Sequence, residues 1–353
     1  MESEFQVFNA VTSPNESIRS TVAVAVASTP RGESFGRLGD AGAWIAACQG
    51  NESPVPFEQA RTIVIAGDHG IAARGVSAFP VEASVAQAEE IQAGGGPVHT
   101  LARAAGAAVR LVDVSLDRDS WGEERVSRST GAIDVEDAMS AEQFDRAINI
   151  GKRLADQEID AGADLIVPAD LGVGNTTIAA AVIGALTRTE PVLAVGPGSG
   201  INDEAWKTKV SIIRDAMFRV RHLRDDVPAV LTAISAPCFV ALGALIAQSA
   251  VRRTPVLIDG AYPAAAAYVA ERLAPGTKDW LAAGQLSPEP CHLISLQALD
   301  LTPLIALDMS TGQGAGALAA LPLLNSAAQL VGDEIDDLAP RSRGTVLKDA
   351  PHP

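Results

Sequence analysis

Residues 164–177 read Asp164-Leu165-Ile166-Val167-Pro168-Ala169-Asp170-Leu171-Gly172-Val173-Gly174-Asn175-Thr176-Thr177, and an alanine-rich segment follows. A short apolar run, a glycine-rich turn and a helix opening on Asn-Thr-Thr describe a strand feeding a helix through a tight loop. Free amide N–H groups and the positive end of a helix dipole meet at such a loop, which suits a phosphate or a carboxylate. The plainer reading, a helix capped by Asn175 or Thr176, stays open. The segment carries neither the GK[ST] of a Walker loop nor the GxGxxG of a dinucleotide fingerprint.

The same unit recurs outward in both directions. Strand candidates are 62–66 (TIVIA), 108–114 (AVRLVDV), 164–167 (DLIV), 191–195 (PVLAV), 254–258 (TPVLI) and 280–283 (WLAA). Helix candidates lie near 82–92, 97–105, 140–160, 176–187, 203–222, 238–251 and 262–273. Continuous apolar strands alternating with helices predict a parallel sheet covered on both faces, a Rossmann-like, doubly wound α/β fold of about six strands. Ligands bind such sheets at the carboxyl ends of strands, so the loops there are the candidate site. Residues 1–60 and 300–353 read differently, with helices near 15–28, 38–49 and 315–331, and predict a small, mostly helical domain. The α/β domain then spans 61–299, and the charged stretch 332–353 reads as a mobile tail.

Composition narrows the function. The 353 residues carry 27 basic and 43 acidic side chains, net −16, with 47% hydrophobic and 4% aromatic residues. A field of that sign repels phosphodiester backbones and excludes a general nucleic-acid binder. Three isolated cysteines and five scattered histidines support neither a disulfide framework nor a metal site. The first residues lack a basic-then-apolar leader pattern, and no apolar run reads as a membrane span; a cytoplasmic protein is expected.

Other strand-end loops add candidates. After TIVIA comes Gly67-Asp68-His69-Gly70, where Asp68 and His69 face a ligand or simply cap a turn and fill the core. After PVLAV comes Gly196-Pro197-Gly198-Ser199-Gly200, a second amide-rich turn that could converge with 172–177 on one anion. Lys209, two turns into the next helix, supplies a point charge there or is a solvated surface lysine. Asp259 closes TPVLI, and Ser310-Thr311-Gly312-Gln313-Gly314 precedes the last helix.

Together these segments resemble the nicotinate-nucleotide–dimethylbenzimidazole phosphoribosyltransferases of cobamide lower-ligand synthesis. The carriers are PRGESFGRL (30–38), AGDHGIAARGVSAFP (66–80), AGGGPVHTLAR (93–103), LGVGNTT (171–177), 196–203, VRRTPVLIDG (251–260), SPEP (287–290) and 312–316. The resemblance covers about residues 10–330. It implies a homodimer that moves phosphoribose from nicotinate mononucleotide to a benzimidazole nitrogen, with no metal or organic cofactor. It places the nucleotide, with its 5′-phosphate on the two glycine-rich turns, on Gly172, Gly174, Asn175, Thr176, Gly198, Ser199, Gly200, Lys209 and Asp259. The benzimidazole pocket falls to Ser77, Phe79, Pro80 and Leu171, with the helix that follows Pro80.

Several positions depart from that pattern. Gln313 stands where the family has a glutamate base, and an amide cannot take a proton at neutral pH. Ala315, Pro197, Ala86, Gln285, Thr29 and the run Ser235-Ala236-Pro237-Cys238 also differ from the family's usual residues. Asp170 and Asp308 are substitute carboxylates. A binding-only paralogue is the alternative to an active transferase, and an unrelated nucleotide-dependent Rossmann enzyme is a third reading.

Overall fold

The computed structural model describes residues 7–338. The larger of two compact units contains residues up to Pro14 and 57–324; the smaller contains 15–56 and the chain from Asn325.

The larger unit is built on a five-stranded parallel sheet. Its strands are β1 (Ala60–Gly67), β2 (Ala108–Ser115), β3 (Leu165–Leu171), β4 (Val256–Ile258) and β5 (Leu281–Ala283), in the order β2-β1-β3-β4-β5. Ile63, Val64, Ile65 and Ala66 of β1 are all buried, as expected of a central strand covered on both faces. Two further strands, β6 (Gln285–Leu286) and β7 (Ile305–Ala306), pair separately.

Small residues let the covering helices close up. A Cβ on Gly151, in the helix Ala141–Asp160, would stand 2.2 Å from the Ala241 carbonyl oxygen in the helix Pro237–Val251. Glycine there lets two backbones touch, which explains an apolar core made with so few aromatics. Ser140 and Gln143 form a reciprocal capping box that starts the first of these helices.

One strand candidate is corrected. PVLAV at 191–195 is a short helix, Pro191–Ala194, and the main sheet has five strands rather than about six. Pro191 lacks a ladder donor, and Val192 and Leu193 are 47% and 60% exposed, so the run never gains the burial of a central strand. Residues 30–33, read as a loop, form a helical turn capped by Thr29, whose Oγ1 accepts from Gly32 N at 2.9 Å. The helices Val227–Ile234 and Pro290–Ala298 were not read from the sequence.

The unit boundaries also differ from 1–60 and 300–353. Residues 7–14 pack on the larger unit, where Trp280 Nε1 donates to the Thr12 carbonyl at 2.9 Å. Residues 300–324 belong there too, because β7 pairs with β6 and the last helix starts beside Asp259. That helix, Ala315–Leu338, passes from the larger unit into the smaller. In the smaller unit Gly42 lies against Val331, and Thr29 and Arg31 both bond Glu334. Residues 332–338 of the expected tail are therefore helical; the remainder, 339–353, lies outside the described residues. By length and composition Ala315–Leu338 could cross a membrane, but 61% of its most apolar window is buried within the fold.

Candidate active site

The strand order reverses at β1 and β3, so their carboxyl ends diverge into loops on either side of one crevice, where α/β sheets bind ligands. The two ends nearly touch: a Cβ on Gly172 would sit 2.1 Å from the Gly67 carbonyl oxygen. Gly174, at φ +99, turns the chain into the helix Asn175–Thr187. Only glycine satisfies both positions without strain.

That turn fixes a buried polar chain. Asn175 Nδ2 donates to Asp170 Oδ2 at 2.6 Å, so its Oδ1 faces His69 Nε2 at 2.5 Å and marks that nitrogen as the N–H. Burial pulls His69 below its ordinary value against the opposing pull of Asn175 and Asp68, and the ring stays neutral. Burial pushes Asp170 up to about 6, opposed by the Asn175 amide and reinforced by Asp259. Asp259 is also pushed up to about 6 by burial, although Gln285 Nε2 and Gly316 N each donate to it at 2.8 Å.

The two amide-rich turns do converge. Lys209 Nζ donates to Thr176 Oγ1 at 2.8 Å, and a Cβ on Gly198 would lie within 3.0 Å of both atoms. Lys209 is fully buried, which removes the surface-lysine reading; burial lowers it, opposed chiefly by the nearby Glu289. The Gly198 N–H, a candidate phosphate donor, is instead taken by Glu289 Oε1 at 2.6 Å. Ser199 Oγ accepts from Ala78 N at 2.8 Å and pairs with Ser77 Oγ at 2.9 Å, tying the segment 77–79 to this turn.

Around these groups lies a cavity of about 440 Å3, within the usual range for small-molecule sites. Of the candidate residues, Ser77, Phe79, Asp170, Leu171, Gly172, Gly174, Asn175, Thr176, Gly198, Ser199, Asp259 and Gln313 line it. Pro80 and Gly200 do not, and Lys209 stands behind Thr176 and Gly198. Gln313 sits on a left-handed turn, φ +58, with its N–H on the Asp170 carbonyl at 3.1 Å and its Oε1 buried without a partner.

The helix after Pro80, expected beside the acceptor, contributes Ser84, Gln87 and Glu90 to the lining, none of them named singly from the sequence, and Tyr262 and Met309 were missed altogether. Gln87 and Glu90 are three apart on the helix Ala83–Gln92, a spacing that places them on one face and could have flagged them. Among the described residues no cluster of three or more His, Cys, Asp or Glu could hold a metal ion.

The chain is similar to known proteins over most of its length. A phosphoribosyltransferase family model matches residues 11–336. The nicotinate-nucleotide–dimethylbenzimidazole phosphoribosyltransferase of Corynebacterium glutamicum is 55% identical over 300 residues, covering 85% of this chain and 84% of that protein. The enzyme of the same name from Mycobacterium avium is 48% identical over 302 residues, 84% and 86% of the two chains. The crystal structure of the Thermus thermophilus enzyme superposes with a TM-score of 0.84 at 30% identity, covering 90% of this chain and 96% of that one. With one family model spanning nearly the whole sequence, and relatives this similar over most of their length, the chain belongs to the phosphoribosyltransferase family that includes these nicotinate-nucleotide–dimethylbenzimidazole enzymes.

Proposed function

We propose that the protein transfers phosphoribose from nicotinate mononucleotide to 5,6-dimethylbenzimidazole or a related base, yielding α-ribazole phosphate and nicotinate in cobalamin synthesis. The observation that carries this is the meeting of two amide-rich turns over the buried Lys209, beside a cavity that Ser84, Gln87 and Gln313 also line. A buried ammonium beside a helix N-terminus is a place for the 5′-phosphate. Glu289 holds the Gly198 turn in position rather than binding ligand.

The chemistry asks little of an acid. The pyridinium of the nucleotide is a cationic leaving group, and the bonding pair neutralises it as it departs. Positive charge grows on the ribosyl carbon, and the ionised Asp170 carboxylate, oriented by Asn175, stabilises that charge across the cavity. Asp259, bonded by Gln285 and Gly316, keeps the floor of the site polar and fixed. Gln313 orients the acceptor ring by hydrogen bonds, and Ser77, Phe79 and Leu171 supply walls of the acceptor pocket. We further read the protein as a cytoplasmic homodimer that needs no metal or organic cofactor for this step.

Purified protein given nicotinate mononucleotide and 5,6-dimethylbenzimidazole should release nicotinate and α-ribazole phosphate in equal amounts, separable by chromatography. Nucleotide binding by calorimetry with no nicotinate released from any of a panel of azoles would favour the binding-only paralogue instead.

A further inference from the structure

The reaction leaves one group unassigned. In a 1,3-azole the nitrogen that attacks carbon and the nitrogen that bears the proton are different atoms on opposite flanks of the ring. The proton acceptor therefore stands on the side away from the ribosyl carbon. In the reading above Gln313 faces that side of the ring, but its amide cannot take a proton. Four carboxylates line the cavity: Glu90, Asp170, Asp259 and Glu289. Glu289 is bonded to the Gly198 turn at the phosphate end. Asp259 is held by Gln285 and Gly316. Asp170 is bonded to Asn175 through Oδ2 and, although the Gly312–Gln313 turn packs near it, serves the ribosyl carbon in the reading above. Glu90 remains.

Its placement is specific. The loop 93–96 folds back on the end of the helix Ala83–Gln92, with Gly94 N on the Ile91 carbonyl and Gly95 N on the Glu90 carbonyl, both at 2.9 Å. Gly94 and Gly96 have φ of +82 and +79, so this reversal depends on glycine. The Glu90 side chain lies over the reversal: a Cβ on Gly95 would be 3.1 Å from its Cγ. The point where a Cβ on Gly96 would stand is 3.6 Å from Glu90 Oε2 and 3.7 Å from Gln313 Oε1. A carboxylate and a buried, unpartnered amide oxygen thus converge on one spot. Neighbouring Glu89 is neutralised by Arg118 at 2.8 Å, whereas among the described residues Glu90 makes no ion pair.

We propose that Glu90 is a catalytic residue, the base that removes the acceptor's ring proton, with Gln313 Oε1 orienting that N–H. This rests on the transferase reading above. The ring N–H bond breaks, its electron pair stays in the azole, and an O–H bond forms on Glu90. The other ring nitrogen's lone pair makes the new bond to the ribosyl carbon. The bond from that carbon to nicotinate breaks, and its pair neutralises the pyridinium nitrogen. One positive charge on the nucleotide and one negative charge on Glu90 are consumed together, so the step balances.

The test compares wild type, Glu90→Gln and Glu90→Gln/Gln313→Glu with nicotinate mononucleotide and benzimidazoles of graded N–H acidity. With 5,6-dimethylbenzimidazole, Glu90→Gln should lower kcat by ~10²–10⁴-fold, the usual contribution of a positioned base. KM for the nucleotide should stay within about twofold, since that substrate is held by the amide-rich turns and Lys209 rather than by Glu90. The loss should shrink as electron-withdrawing substituents make the acceptor's proton easier to lose. Returning a carboxylate at 313 should restore at least about tenfold of the lost rate. A Glu90→Gln enzyme within about threefold of wild type, or a loss equal for all acceptors, overturns the assignment while leaving the transferase reading intact. A wild-type protein that releases no nicotinate with any acceptor removes both.

Discussion

Asn175 donates its amide N–H to Asp170 at 2.6 Å and turns its oxygen to His69 at 2.5 Å, so one side chain sets both the direction of a carboxylate and the tautomer of a histidine. The carboxyl is held at about 6 by burial, which the Asn175 amide opposes. If the ionised form is the working one, kcat/KM falls as pH drops through about 6. Asn175→Asp removes that stabilising donor and sets a second carboxyl beside the first, and the two share a proton. Its acid limb should move up by at least about one pH unit. A pH–rate profile with its acid limb unmoved in the variant would show that Asp170 does not have to be ionised.

Gly172→Ala should be among the most damaging single changes in the crevice. Its Cβ would stand 2.1 Å from the Gly67 carbonyl oxygen, a backbone atom that cannot swing aside. The β1 and β3 tips would have to separate, at a cost of about 1–3 kcal/mol or more. Thermal unfolding should report it as a lower Tm, with the KM for nucleotide raised as well.

Lys209→Met tests the phosphate end. The ammonium is fully buried and bonds Thr176 at 2.8 Å. A charged hydrogen bond to a ligand is worth about 1.5–3 kcal/mol, so KM for nicotinate mononucleotide should rise by roughly 10–150-fold. The variant's stability should change far less, because desolvating the ammonium already works against it in the free protein. An unchanged KM would move the phosphate away from these turns.

Much of this was legible in the chain. TIVIA and DLIV are continuous β-branched runs bounded by glycine turns, and both are central strands. LGVGNTT announced its own turn because Gly172 and Gly174 answer steric demands that only glycine meets. PVLAV failed because an apolar run shorter than two helical turns has no period to separate strand from helix, and the exposure of Val192 and Leu193 emerges only in three dimensions. Glu90 and Gln87 were legible only as part of a helix expected beside the pocket, not as individual residues. Polar side chains on a helix read as its solvated face, and only the packing of this helix beside the turn at Gln313 makes Gln87 and Glu90 part of a cavity wall.

His292 gives the fold a pH signature. Ser287 Oγ and N approach its Nδ1 at 2.9 and 3.2 Å, its Nε2 is buried without a partner, and burial pushes it down to about 4. The unfolded chain binds that proton near 6.5, so stability falls as pH drops from about 6.5 to 4, by about 3 kcal/mol for this residue. Asp170 and Asp259 act oppositely: their folded values of about 6 exceed the unfolded 3.8, so they gain stability on acidification through that window. The sum is flatter than either part. Denaturant titrations at several pH values should show the stability of His292→Gln rising relative to that of wild type as pH falls from about 7 to 4.5, whatever its absolute stability.

Gln313→Glu distinguishes a site whose base is elsewhere from a site that lacks one. The turn's backbone should survive, since the left-handed φ of Gly312, Gln313 and Gly314 (+70, +58 and +70) asks nothing of the side chain's terminal atom. The new carboxyl would replace an amide oxygen that is buried and unpartnered, close to Asp170 and to the Glu90 carboxylate. Crowding acids in this way raises their proton affinity. With Glu90 already removing the ring proton, turnover at about pH 8 should rise by no more than about threefold, since a second base on the same flank adds little. Below about pH 7 it should drop beneath wild type, because the added carboxyl titrates with its neighbours. Steady-state nicotinate release at the two pH values decides the matter: a gain near a hundredfold at the higher pH would mean that the natural chain works without a base at that position, and Glu90 would lose its role.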